Sequence, residues 1–332
     1  MLKDRLRNEW SRDTIVRENL QRKRNEMEKK FIGVDVGGTY IKLGIVTESG
    51  GILKRHKVSV DQTSRVHVMD TMISAIREIC DDSLAEISGI GVSAPGSIDS
   101  VNGKVAINEG NVPNWSGTEV CAILEDAFGL PAAIANDGNC AVLGEIWTGA
   151  ARGCTDVICI TLGTGVGGGI VSGGRLVRGA RGFAGEIGHI PIHAGEGEIC
   201  SCGRRGCFET FASTSALVRK AEKICPEWTS GRHVFEAVYE GNKEAEKLVS
   251  GWIDEIAYGI TGLIHTFNPE MVLIGGGVSA QEETVVKPIR EKVMEMAIPD
   301  FIDGLKIETA SLENDAGIVG AVKNLIDHLN NR

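Results

Sequence analysis

Two stretches of the chain, FIGVDVGGTYIKLGIV at 31–46 and DVICITLGTGVGGGIV at 156–171, carry one pattern. Each has apolar and β-branched residues, a break into glycine and threonine, and then a second apolar run. Runs of this kind read as strands and the glycine clusters as tight turns. Each stretch therefore predicts a strand–turn–strand unit, and its return in the second half of the chain predicts an internal duplication. Between and after these units, RVHVMDTMISAIREIC, TEVCAILEDAF, NCAVLGEIWTGAA, STSALVRKAEKI and KEAEKLVSGWIDEIAYGITGLIHTF have helical spacing. ISGIGVSAP, PAAIAND and EMVLIGGGVS read as strands, and DAGIVGAVKNLIDHL as a closing helix. Strands interleaved with helices, built twice, give an α/β protein of two similar lobes. The 332 residues suit two domains of ordinary size, and no low-complexity linker parts them.

Charge removes one class of function. Residues 1–30 hold 10 Lys/Arg against 6 Asp/Glu, so with a total of −10 the remaining 31–332 carry −14. A body this acidic is a poor surface for nucleic acid, whose phosphates need clustered positive charge. The first 30 residues are charged throughout and have no apolar core of a signal peptide, and no apolar run reaches the ~20 residues of a membrane span. A cytoplasmic protein without a membrane partner is expected, with residues 1–30 as a charged helical extension.

Chemistry concentrates in three places. Glycine turns at 35–39 (DVGGT), 162–169 (LGTGVGGG) and 274–277 (IGGG) bring backbone N–H groups close to any ligand, and such groups cradle phosphate oxygens. One turn alone is ordinary hairpin chemistry. Three, with Thr39 and Thr164 as hydroxyl donors, point to a nucleotide gripped between lobes, although neither a P-loop nor a strand-to-helix GxGxxG is present. Cys200, Cys202 and Cys207 follow C-x-C-x4-C spacing in GEIGHIPIHAGEGEICSCGRRGCFET. Three thiolates and an imidazole, from His189 or His193, make a closed tetrahedral zinc site, which is structural; the C-x-x-C of a redox site is absent. Finally, Asn136 and Asp137 end a strand, where α/β folds place ligand chemistry. The same residues suit a helix N-cap, and both readings stand on the sequence alone.

DVGGTYIKLG, GVSAPGSID, NEGNVPNW, ANDGN, LGTGVGGG, GEIGH, CSCGRRGCFE and IGGGVS occur in the order found in the ROK family of sugar kinases and sugar-responsive repressors, which the chain resembles over residues 31–329. The resemblance implies a two-lobed actin-like ATPase (ribonuclease H-like) fold with its active site in the interlobe cleft. It divides the chain into a small lobe of 31–136 plus 315–332 and a large lobe of 137–314 with the zinc loop. The implied reaction is ATP-dependent phosphorylation of a hexose, with glucose to glucose 6-phosphate first because the cysteine pattern resembles the glucokinase-type members. N-acetylmannosamine, N-acetylglucosamine and fructose are the alternative substrates. A repressor needs a helix-turn-helix ahead of DVGGT, and only about 30 residues stand there.

Carried over by motif, Asp137 is the general base. Gly96, Asn111, Asn136, Glu186, His189 and Glu209 meet the sugar. Asp35, Gly37, Gly38, Thr39, Gly163, Thr164, Gly165 and Gly276 meet MgATP, Asp35 facing Mg²⁺ through water. The GEIGH histidine, His189, becomes the fourth zinc ligand with Cys200, Cys202 and Cys207, and its other ring nitrogen remains for the sugar. A homodimer or homotetramer is implied as well.

Overall fold

The structure, a computed structural model, describes residues 28–61, 63, 67–108 and 112–330. The helical extension expected over 1–30 falls almost wholly outside the described residues, and Asn111 falls outside them too.

The first glycine-turn unit opens an antiparallel meander of β1 (Lys30–Val36), β2 (Tyr40–Thr47) and β3 (Ile52–Ser59). Helix α1 (Val68–Cys80) returns the chain to β4 (Ile87–Ala94), parallel to β1. A small hairpin follows, β5 (Ser97–Asp99) and β6 (Lys104–Ile107), then α2 (Val120–Phe128) and β7 (Ala132–Asn136), parallel to β4. The sheet order is β3-β2-β1-β4-β7.

After α3 (Asp137–Trp147) the plan repeats. β8 (Val157–Leu162), β9 (Val166–Ser172) and the two-residue β10 (Arg175–Leu176) form a second antiparallel meander. Short helices α4 (Phe208–Ala212), α5 (Thr214–Glu222) and α6 (Gly231–Tyr239) lead to the long α7 (Lys243–Phe267) and to β11 (Met271–Gly275), parallel to β8. Helices α8 (Lys287–Met296) and α9 (Pro299–Ile302) precede β12 (Lys306–Thr309), and α10 (Ala316–Asn330) closes the fold. This sheet runs β10-β9-β8-β11-β12. Numbered within each half, both sheets have the order 3-2-1-4-5, so the duplication read from the two glycine turns extends to whole sheets.

Each half has its own apolar core. One gathers β1, β2, β4 and α1 around Met72, Ile76 and Trp115; the other gathers β8, β11 and α7 around Phe208, Trp252 and Ile256. Trp252 buries its ring completely, and its Nε1 donates to the carbonyls of Ala212 and Ser213 at 2.9 and 3.1 Å, so the indole loses no hydrogen bond on burial. Capping defines α7: Asn242 accepts from the N–H groups of Glu244 and Ala245, and Asn268 ends the helix in the left-handed region at φ 45°.

The two halves interlock through exchanged helices. α3, which leaves the first sheet, packs on β8 and β9; α10, which leaves the second, packs on β1, β4 and β7. They also cross each other, and a Cβ at Gly320 would overlap the Cys140 carbonyl. Only a glycine lets two helix backbones approach this closely.

Candidate active site

The parallel registers bring the carboxyl ends of β1, β4 and β7 level, pairing Asp35 with Ser93 and Ala94 with Asn136. In the other sheet Thr161 at the end of β8 pairs with Gly275 at the end of β11. The strand ends of both sheets open on one cleft of about 520 Å³. Gly37, Gly38 and Thr39 line it from the first turn, Gly163, Thr164 and Gly165 from the second, and Gly276 from the third. Gly96, Asn136, Asp137, Glu186, His189 and Glu209 line it as well. Residues separated by up to 240 positions in the chain thus meet at one place.

Of Asn136 and Asp137, the cap role falls to Asn136. Asn136 is the N-cap of α3; its Oδ1 accepts from Gly138 N at 2.9 Å and Asn139 N at 3.4 Å, and its Nδ2 donates to the Gly96 carbonyl at 3.1 Å. Asp137 opens the helix, with Oδ1 accepting from Gly138 N at 2.8 Å. The helix start is pressed onto β9, where a Cβ at Gly138 would strike the Gly168 backbone. That contact fixes the height of Asp137 in the cleft. Its residue is exposed to the cleft, with protein crowding the carboxyl on the remaining sides, so it is open to a ligand. Loss of hydration pushes its pKa up to about 6 against the pull of the Gly138 N–H, and the charges of Asp35 and Glu186 push the same way. A carboxyl with this affinity for protons can take one from a hydroxyl near neutral pH.

Asp35 stands behind Val36, the first cleft-lining residue of its turn. It accepts from Ser93 Oγ at 2.9 Å and lies 3.9 Å from Lys42 Nζ. Burial raises its pKa, with Ser93 and Lys42 opposing. Lys42 is itself held, donating to Asn314 Oδ1 at 2.9 Å.

The cysteine loop reaches the cleft from the side of the second sheet. His189 Nδ1 lies 3.4 Å from Cys200 Sγ, and Cys202 Sγ lies 3.6 Å from Cys207 Sγ. One ligand atom from each of these four residues falls within 4.8 Å of the others. The spacing is far beyond a disulfide bond and close to the ~3.8 Å edge of a tetrahedron with ~2.3 Å metal–sulfur bonds, so the donor set fits zinc. His193 lies elsewhere: its Nε2 meets Glu255 Oε2 on α7 at 2.6 Å, and its ring packs edge-on against Phe211. Glu209, in α4 just after the loop, receives Cys200 Sγ and Ser201 Oγ, both at 3.4 Å, on Oε1 and Val166 N at 3.3 Å on Oε2.

Two features had no signal in the motifs. Thr161 lines the cleft at the position in β8 that Asp35 holds in β1; laying VDVGGT over ITLGTG would have found it. A second cavity of about 800 Å³ adjoins the 163–164 turn, walled by α5, α6 and the 277–281 segment with Ser215, Arg219, Phe235, Tyr239 and Val278. Its residues arrive from three helical patterns, and amphipathic spacing says nothing about a cavity between helices.

The model of the ROK family matches residues 31–327. A glucokinase of Thermotoga maritima is 38% identical over 309 residues, covering 88% of this chain and 96% of its own. The crystal structure of a ROK family glucokinase from Streptomyces griseus, in complex with glucose and AMPPNP, superposes with a TM-score of 0.75 at 34% identity, covering 88% of this chain and 97% of its own. A Listeria monocytogenes protein proposed to be an N-acetylmannosamine kinase superposes with a TM-score of 0.78 at 29% identity, over 91% of this chain and all of its own. With its motifs, its duplicated sheets and this match over nearly its whole length, the chain belongs to the ROK family.

Proposed function

We propose that the chain transfers the γ-phosphoryl group of ATP to a hexose hydroxyl, and that the hexose is glucose. One observation carries this: the turns at 37–39 and 163–165, the polar set Asn136, Glu186, His189 and Glu209, and the high-pKa Asp137 all face one cleft. ATP would lie in the adjoining cavity of about 800 Å³, with its phosphates over Gly163 and Thr164, which line both cavities. The two lobes, 31–136 with 315–332 and 137–314, close over both substrates. Described helices include none long and apolar enough to cross a membrane.

In the transfer, Asn136, Glu186, His189 and Glu209 orient the sugar, and Asp137 accepts the proton of the attacking hydroxyl. The sugar oxygen bonds to the γ-phosphorus as the bond to the ADP oxygen breaks, and the turn amides hold the developing charge. Mg²⁺, when bound with ATP, would neutralise phosphate charge, with Asp35 as the carboxylate behind the first turn. His189, Cys200, Cys202 and Cys207 would hold zinc, whose contribution is to fix the loop carrying His189 and Glu209. Burial and the neighbouring thiols push Cys207 up to about 12, so the metal must displace thiol protons on binding. Elemental analysis should return one zinc per chain; fully active protein without zinc would remove this role.

A panel of glucose, N-acetylmannosamine, N-acetylglucosamine and fructose with MgATP, read by coupled ADP release, tests the proposal. Glucose should give the highest kcat/KM. The Listeria neighbour is the reason to include the N-acetylated sugars, and turnover of no sugar would overturn the kinase assignment.

A further inference from the structure

The larger cavity and the cysteine loop share a wall. Arg219, in α5, lines the cavity of about 800 Å³ and also a smaller one, about 370 Å³, that runs beside Cys200, Ser201 and Glu209. Both cavities reach Thr164 in the second glycine turn. The Arg219 Nε pairs with Glu198 Oε2 at 3.0 Å, and its Nη2 donates to the Thr210 carbonyl at 3.4 Å. Glu198 belongs to the cysteine loop, two residues before Cys200, and is shared with Lys223 at 3.2 Å. The other cation on the wall of the larger cavity, Arg232, is paired with Glu236 of that same wall at 2.8 Å. Among the described residues, Arg219 is thus the cation of this wall whose acidic partner stands outside the cavity.

Resting on the kinase function above, we propose that Arg219 is a nucleotide-phosphate contact that Glu198 holds when the nucleotide is away. The Arg219 and Glu198 side chains are 39% and 52% exposed, and an ion pair so open to water is weak. A guanidinium on phosphate oxygens forms charge-assisted, often bidentate bonds. A triphosphate beside Thr164 therefore outcompetes Glu198, which keeps Lys223. Nucleotide binding then releases one of the two cations that hold Glu198 of the cysteine loop, so occupancy of the nucleotide cavity is felt in the loop between His189 and Glu209.

Calorimetric titration of the full chain with the Mg²⁺ complex of the β,γ-imido analogue of ATP, and with adenosine by competition, tests this. Arg219→Gln should weaken the analogue about ten- to hundredfold and leave adenosine unchanged. Glu198→Gln should move the other way, tightening the analogue up to about fivefold by removing the competitor. A merely structural ion pair predicts that both variants weaken binding, and that outcome overturns the proposal. So does an equal loss for adenosine, which would put Arg219 on the base. Arg219→Lys should recover part of the affinity, and the binding stoichiometry reports the folded fraction of every variant. If the wild-type chain binds no nucleotide the kinase assignment itself fails; if it binds and Arg219→Gln matches it, the Arg219 assignment alone fails.

Discussion

Helices α3 and α10 are entered through the same pair of residues, Asn136–Asp137 and Asn314–Asp315, each after the last strand of its sheet. The aspartates have opposite surroundings. Asp315 meets Arg55 through two bonds, 3.1 Å to Nε and 2.7 Å to Nη2. Asp137 meets the carboxylates Asp35 and Glu186 through space and the Gly138 N–H, in a cleft. Asn314 is spent on Lys42, whereas Asn136 caps α3 and holds Gly96. Duplication supplied two helix entrances, and different charges face each. A carboxylate paired with a cation keeps its charge easily, whereas one facing two anions holds its proton more tightly.

The comparison breaks most visibly at Asp137 itself. Asp137→Asn keeps the shape of the helix entrance and removes the proton acceptor, so turnover should fall about 10²–10⁴-fold while the glucose dissociation constant stays close to wild type. The melting temperature at pH 7 should not fall, because the variant removes a charge that the cleft disfavours. A small loss of turnover in the coupled assay would mean that the two entrances are equivalent after all.

Next in size is the crossing that holds the two entrances in place. Gly320→Ala puts a methyl group into the Cys140 carbonyl and should cost about 3 kcal/mol in urea unfolding. Gly262→Ala, in α7 with open space where the methyl would go, should instead stabilise by about 0.5–1 kcal/mol. Equal effects would show that the crossing tolerates a shift.

A pH profile sharpens the contrast. As the proposed base Asp137 would work deprotonated, and its pKa is pushed up to about 6 from 3.8, so kcat/KM should fall about tenfold per pH unit below 6 and flatten above it. Because the folded chain binds this proton more tightly than the unfolded one, the stability it lends is present at low pH and fades as pH rises from 3.8 through 6. Asp137→Asn should therefore gain stability relative to wild type across that window, measured by urea unfolding at successive pH values. The smallest effect is expected at the other entrance: Asp315→Asn loses an exposed pair worth about 0–1 kcal/mol and should leave kcat unchanged.

Sequence patterning reached the buried strands and long helices because burial on both faces demands continuous apolar runs, as in β4 and β11. It passed over β3, whose ILKRHKVS is mostly exposed at a sheet edge, and over β5 and β12, which are three and four residues long. At the site, the turn and acid residues were legible because backbone approach to a ligand demands glycine and their motifs are contiguous. The larger cavity was not, because Arg219, Phe235 and Val278 come from three separate segments and each alone looks like an ordinary helix or loop residue. Asp137 was legible as a position, whereas its raised proton affinity depends on Asp35 and Glu186 arriving from distant segments.

The exchanged helices also set an order of events at the ribosome. The second sheet receives its cover from α3, which is made before it, and can be completed as its own strands emerge. The first sheet, with its strands finished by residue 136, receives α10 only from residues 316–330. At ~5–20 residues per second this is a wait of roughly 10–40 s, during which one apolar face of β1, β4 and β7 has no native neighbour. The half of the chain that is synthesised first is thus the half whose sheet is covered last.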